Sequence, residues 1–362
     1  MNVLMISADR SVFKKDSPFR ERLMEYGPRI GHITVIAVGV KGAEELTDRV
    51  RLIGMRGPTI FGSLYAAYRT AKKIVDTNPA VWVVTTQDEI TGLVGFRLRG
   101  VFGVSWRAEV HTDIMSSWYG KIFFTNKIRK LIFRMTIRRA SCIRVVSDRI
   151  KKSLEGRKFI HAPIVVVPVK PRSPLTHTSP PRERFFLTVS RLTREKNIAL
   201  AIVAFCEVAK TAQDVVLKIV GDGPERVRLE RLATHLGIRN RVVFLGWQGD
   251  IGDSLAGALG VLSTSWYEGF GLSILEAMAA GYPVVTTDVG IVGETLKDGI
   301  SGLVVPPGDD KALANAMMRL LQDSGLGVRL GTAAKAATRV YFDDQLYWMM
   351  FNESFSVCKP KS

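Results

Sequence analysis

At 362 residues the chain is longer than one hydrophobic core ordinarily supports, so two domains are expected. Its 46% hydrophobic and 23% charged residues suit a globular, soluble protein, the apolar runs are too short or too polar to span a bilayer, and the start MNVLMISADRS lacks the marks of a signal peptide; membrane-spanning and secreted classes are excluded and a cytoplasmic chain is expected. The formal net charge of +17 is uneven, with 30 Lys/Arg against 14 Asp/Glu in residues 1 to 170 and 21 against 20 in the rest, so the first half is expected to face something anionic.

In chain order, NVLMIS (2–7), HITVIAV (32–38), VWVVTT (81–86), CIRVVS (142–147) and IVVVP (164–168) read as short β-branched strands, with amphipathic stretches such as SLYAAYRTAKKIVDT (63–77) between strands. Residues 121–158 hold 13 basic and 2 acidic residues, and Ile128, Leu131, Ile132 and Met135 with Arg138 and Arg139 describe a basic amphipathic helix. Such a helix can lie on an anionic membrane surface, or it can bury its apolar face against a sheet and leave the basic face to water. No aromatic-interleaved basic run or recognition motif points to nucleic acid. Cys142, Cys206 and Cys358 are widely spaced, with no CxxC and no histidine pair nearby, so they are expected to be buried, unpaired apolar residues in a reducing compartment rather than metal ligands or a disulfide framework.

VPVKPRSPLTHTSPPRER (167–184) carries five prolines and no periodicity, which makes a semi-rigid connector. Beyond it RFFLTVS, VLKIVG, RVVFLG, GVLSTS, YPVVTT and SGLVVPP alternate with helical patterns such as NIALAIVAFCEVAKT and PERVRLERLATHLG. The α/β series thus occurs twice, predicting a first Rossmann-like, doubly wound domain at 1–170, a linker at 171–184 and a second such domain at 185–342. Ligands of such sheets bind beyond the carboxyl ends of the strands, and two domains facing across a cleft would share that edge.

SWYEGFGLSILEAMAAGYPVV (265–285) places two glutamates, Glu268 and Glu276, around a glycine turn where a helix starts. Glycine lets the backbone approach a ligand closely, and the N–H groups of a first helical turn suit a phosphate. Glu276 lies about one turn into that helix and leans back toward its start, where a carboxylate can accept from a ribose diol; Glu268 is left for the sugar beyond the phosphates. The plainer alternative is a helix-dipole glutamate and a solvated loop glutamate. VSRLTREKN (189–197) follows a strand with Arg191, Arg194 and Lys196, cations that can clamp a diphosphate or simply be solvated. VLKIVGDGPE (216–225) adds a glycine turn and a helix-opening Pro224.

Taken together, RLTREKN, VGDGPE, VVFLGW, EGFGLSILEAMAAGYPVV and DVGIVGETLKDGISGLVVPPGD closely resemble the C-terminal half of family 4 glycosyltransferases, retaining enzymes of the GT-B fold. The match runs over roughly residues 185 to 325. The resemblance implies that Glu268 meets the donor sugar and Glu276 the ribose, and that Gly269, Phe270, Gly271 and Leu272 hold the diphosphate or sugar with Arg191 and Lys196. It puts the base near Gly221, Gly223 and the backbone from Phe244 to Gly246, and His111 of EVHTDIMSSWYG beside the transferred sugar. The tail FDDQLYWMMFNESFSV is implied to be a helix (343–362) that packs back on the first domain.

Two departures from the family pattern stand out. SADRSVFKKDSPFRER replaces the usual Gly-Gly loop after the first strand, with Ser17 or the turn from Asp16 to Phe19 as the substitute, and DVGIVGE has Ile291 and Gly293 in place of a glycine and a proline, while Glu294 remains.

The expected function is a retaining, metal-independent hexosyltransferase that takes a nucleotide-sugar donor (UDP- or GDP-sugar) and a glycan or lipid-linked acceptor in cell-envelope or exopolysaccharide synthesis. No cofactor is expected, and the place of action is the cytoplasm, on the inner face of the plasma membrane where the basic half meets anionic lipid. Alternatives are a nucleotide-sugar 2-epimerase and a non-catalytic protein that binds anionic lipid or nucleic acid.

Overall fold

Runs of Val, Ile and Leu that are apolar on both faces make strands that can only be buried from both sides, and helices supply the cover. The computed structural model describes residues 1–76, 78–171 and 184–358 and divides into two units: Met1–Val167 with Trp348–Ser362, and Pro168–Tyr347. Most of the expected linker, and the last residues of the expected tail helix, lie outside the described residues.

The first unit runs β1 (Asn2–Ser7), α1 (Pro18–Ile30), β2 (His32–Val38), β3 (Gly42–Thr47), β4 (Val50–Met55), α2 (Ile60–Val75), β5 (Trp82–Thr86), α3 (Gly92–Phe102), β6 (Ser105–Val110), α4 (Tyr119–Ile122), α5 (Phe124–Thr136), β7 (Cys142–Val145), α6 (Asp148–Leu154) and β8 (Ile164–Val166). Its sheet has the order β3-β4-β2-β1-β5-β6-β7-β8. Every pairing is parallel except that of β3 with β4 at the edge. The reversal of order between β1 and β5 is the switch point of a doubly wound sheet.

The second unit runs β9 (Arg184–Val189), α7 (Ile198–Thr211), β10 (Val215–Val220), α8 (Arg226–His235), β11 (Val242–Gly246), α9 (Gly252–Leu255), β12 (Ala258–Ser263), α10 (Leu272–Ala279), β13 (Val284–Thr287), β14 (Leu303–Val305), α11 (Asp310–Gln322) and α12 (Ser324–Thr338), followed by α13 (Asp344–Ser356). All its strands are parallel, in the order β11-β10-β9-β12-β13-β14. Phe186, Phe205, Leu217, Ile219, Val285 and Met317 centre its core.

Three expectations are set against the structure here. The tail helix α13 is divided between the units after Tyr347, its greater part from Trp348 onward belonging to the first unit. There Trp348 and Phe351 meet the Tyr26 ring edge-on at 5.4 Å and tilted at 4.8 Å, which fixes the helix by aromatic packing. Second, Cys142 of β7 and Cys358 just beyond α13 form a disulfide, so two of the three cysteines expected to be unpaired are joined; both are buried, and only Cys206 is free. Spacing in the sequence could not show this, because 216 residues separate the pair. Third, the basic helix does not bury the apolar residues read from its sequence. Phe133 is buried, Ile132 is half-buried, and Ile128, Leu131 and Met135 are exposed.

Candidate functional site

In the second unit, three strand ends are stitched together by their backbones. Gly221 N–H donates to the Gly246 carbonyl at 2.7 Å, Ser190 N–H to Val220 at 3.1 Å, and Leu192 N–H to Asp222 at 2.9 Å. A Cβ on Gly221 would stand 1.8 Å from the Ser190 carbonyl oxygen, and one on Gly223 would stand 2.4 Å from that of Leu192. Only glycine lets β9 and β10 deliver their loops to one place. Phe244, half-buried on β11, faces the guanidiniums of Arg239 at 5.6 Å and Arg226 at 6.0 Å.

The loop after β9 then meets the loop after β12. Lys196 donates from Nζ to Glu268 Oε1 at 2.5 Å, both side chains being largely buried. Ser265 Oγ donates to the same carboxylate oxygen at 2.7 Å, and Thr264 Oγ1 donates to the Lys196 carbonyl at 3.0 Å. Trp266 N–H reaches the Glu195 carbonyl at 2.8 Å, so two further bonds fasten the same loops. Asn197 turns the chain into α7 with a φ of 49°, a left-handed conformation that asparagine tolerates better than most residues. The sequence pointed to Lys196 and Glu268 separately, and the fold joins them.

Gly271, at a φ of 95°, ends the turn and caps α10. The first N–H groups of a helix point out of its end, and those of α10 follow Gly271. Phe270 turns its ring inward, 4% exposed and 5.5 Å from Tyr341, leaving only its backbone to a ligand. Its carbonyl accepts from Ile291 N–H at 3.1 Å. Gly290 lies under the turn, where a Cβ would fall 2.4 Å from the Phe270 carbonyl oxygen and 3.2 Å from Glu268 Cβ. Glu276 sits half-buried in the second turn of α10.

Arg191 is placed differently from Lys196: its side chain is 77% exposed, and its guanidinium is 3.8 Å from Glu195. The supporting residues that sequence reasoning passed over are Ser265, Thr264, Thr287 and Gly290. Thr287 Oγ1 donates to the Ser265 carbonyl at 2.7 Å, which anchors the loop on β13. Their sequence signal was position alone, since Thr264 and Ser265 end the β12 run and Gly290 stands in DVGIVGE.

His111 follows β6 in the first unit. Its Nε2 lies 3.3 Å from Glu109 Oε2, and Glu109 also accepts from Arg107 at 2.6 Å and Arg144 at 3.0 Å. Burial pushes the Glu109 carboxyl up, but the two guanidiniums outweigh it and hold the group well below the usual carboxylate range. An ionised Glu109 accepts only, so His111 presents Nε2–H to it and keeps Nδ1 for other partners. Ser17, the expected substitute for the missing glycine loop, is 3% exposed, accepts from Phe19 N–H at 3.3 Å and bonds Ser11 Oγ at 2.9 Å, which makes it the cap of α1.

Residues 170–337 match the family model described as glycosyl transferases group 1. N-acetyl-alpha-D-glucosaminyl L-malate synthase of Bacillus anthracis is 34% identical over 160 residues, which cover 44% of this chain and 42% of the synthase. The chain therefore spans less than half the length of that relative. Among solved structures, sucrose-phosphate synthase from Thermosynechococcus elongatus is similar over 98% of both chains with a TM-score of 0.82 at 22% identity. Anabaena HepE in complex with UDP and glucose is similar over 98% of this chain and 99% of its own, with a TM-score of 0.76 at 23% identity. The chain has the GT-B fold, and its second unit carries the match to the group 1 glycosyl transferases.

Proposed function

We propose that the chain is a retaining, metal-independent hexosyltransferase of family 4, moving a sugar from a nucleotide-sugar to a glycan or lipid-linked acceptor of the cell envelope or an exopolysaccharide, in the cytoplasm at a membrane face. The observation that carries this reading is the Lys196–Glu268 pair on the glycine turn that opens α10. One spot there offers a cation, a carboxylate and a helix N-terminus, which suit a diphosphate bonded to a sugar. Because HepE is solved with UDP and glucose, uridine is favoured over guanosine for the base.

In the proposed step the bond from the anomeric carbon to the diphosphate oxygen breaks, and its electron pair stays on the phosphate. Lys196 and the N–H groups from Gly271 onward stabilise the growing charge, and Arg191 adds its exposed guanidinium. The acceptor hydroxyl attacks the same face and its proton passes to the departing phosphate, so configuration is retained. Glu268 accepts from the sugar hydroxyls and Glu276 accepts from the ribose. A glycosyl adduct trapped on Glu268 would replace front-face attack with double displacement.

The test is calorimetric titration with UDP, GDP, ADP and their glucose conjugates, alongside Lys196→Ala and Arg191→Ala. One nucleotide series should bind, and Lys196→Ala should lower turnover by roughly 100-fold or more with the chain still folded. Failure of every nucleotide to bind would end the donor reading.

A further inference from the structure

We infer that the outer helical face of the first unit, built by α2 and α5, docks on an anionic lipid bilayer. On α5, Phe124, Ile128, Leu131 and Met135 follow one another at spacings of four, three and four, which keeps them on one face of the helix. They are 73%, 52%, 57% and 61% exposed. A helix laid on a sheet ordinarily buries such a stripe, but here the buried positions are Asn126, Phe133 and Thr136. The apolar face that should have made core is turned to the outside.

Cations border the stripe. Lys121, Lys127, Arg134, Arg138 and Arg139 are exposed, and no Asp or Glu occurs between Asp113 and Asp148. The Lys127 ammonium lies 5.6 Å from the ring of Phe124, the first residue of the stripe. α2 repeats the pattern, with Phe61 and Tyr65 exposed and one turn apart, followed by exposed Arg69, Lys72 and Lys73. Since α2 packs on α3 and α3 on α5, the three helices form one layer. The strands that α2 and α5 connect are all parallel, so both helices start at the carboxyl edge of the sheet, the edge from which His111 leaves β6. Phe61, Tyr65 and Phe124 occupy their opening turns and sit toward that edge.

Charge complementarity selects the occupant. A second copy of this face would set cation against cation, which disfavours self-association. Nucleic acid would satisfy the cations but offers nothing to the aliphatic Ile128, Leu131 and Met135, whereas hydrocarbon beneath anionic headgroups satisfies both parts at once. The inference concerns the first unit and stands apart from the donor site of the second.

The experiment is sedimentation of the full chain with vesicles of phosphatidylcholine alone and of equal parts phosphatidylcholine and phosphatidylglycerol. Binding is expected only to the mixed vesicles. The pair Leu131→Gln and Met135→Gln should weaken it roughly tenfold or more. Lys127→Gln and Arg134→Gln should each weaken it about fivefold, the factor for one cation near an anionic surface. Because these side chains are exposed, melting temperature and nucleotide binding should not change, so failure here is distinguishable from failure of the donor site. Equal binding to both vesicles, no binding, or binding indifferent to Leu131 and Met135 would overturn the inference. So would a concentration-dependent doubling of mass in light scattering that the same substitutions abolish, or a preference for heparin over the mixed vesicles.

Discussion

Arg107, Glu109 and Arg144 stand on neighbouring buried strands, where two guanidiniums share one carboxylate and the aromatic rings of α13 close the group: Arg107 lies 3.6 Å from the Phe355 ring and donates to Ser354 Oγ at 2.8 Å. Arg144 also donates to the Val167 carbonyl at 3.1 Å. Removing the carboxylate would leave two buried cations facing each other, and breaking a buried pair in this way typically costs about 3 to 5 kcal/mol. Glu109→Gln should lose stability of that order in urea denaturation at neutral pH. The pH dependence has a definite sign. A carboxyl whose folded pKa is held below its unfolded value stabilises the fold above the unfolded pKa of about 4.3, and that stability is lost as pH falls from there through the folded pKa. The wild-type chain should lose stability through this window and Glu109→Gln should lose less, so identical slopes would remove Glu109 from the account. Since His111 is held by Glu109, a change in turnover restored by Glu109→Asp would mark a positioning role beyond stability.

At the scale of elements, the second unit was far more legible than the first. Each of β9 to β14 overlaps a run read from the sequence, β10 and β12 beginning one and two residues before theirs, because strands buried on both faces by helices must be apolar throughout. In the first unit β3, β4 and β6 escaped. β3 is an exposed edge strand whose Glu44 and Glu45 carry no strand signal, and Glu44 is there bound by Arg20. β6, SWRAEV, hides a fully buried strand behind an arginine and a glutamate that pair with each other two residues apart, and the second cation on that carboxylate, Arg144, lies on β7 and cannot be read locally. The candidate site shows the same limit. The glycine turn and both glutamates were visible, whereas the bond from Lys196 to Glu268 spans 72 residues and follows only from adjacent parallel strands. α13 was legible as a helix but not its tether, the disulfide from Cys358 to Cys142. Closing a loop of that length is worth about 5 kcal/mol on a chain-entropy view and commonly less in practice. Cys358→Ser, or reductant added to the wild-type chain, should therefore lower the stability of the first unit by roughly 2 to 4 kcal/mol in denaturant titration and raise amide exchange in α13. No change from either would mean that the aromatic contacts of Trp348 and Phe351 hold the helix unaided.

For the molecule as a whole, charge and chemistry are divided between the units. The first half carries 30 basic against 14 acidic residues and the second is nearly balanced, while the glycine turn, Lys196 and the family match belong to the second unit. Each unit has its own sheet and core, so each is expected to answer to a different agent. Salt screens the self-repulsion of a strongly basic fold and does little for a neutral one. A nucleotide bound only by the folded second unit stabilises it by mass action, about 2.7 kcal/mol at a hundredfold excess over Kd, or roughly 5 to 10 °C for a domain of this size. Scanning calorimetry should therefore resolve two transitions, one raised by sodium chloride and indifferent to UDP, the other raised by UDP and nearly indifferent to salt. A single transition moved by both would show that the units unfold together. A UDP response confined to the salt-sensitive transition would place the nucleotide in the basic unit and reverse the assignment of Lys196 and Glu268.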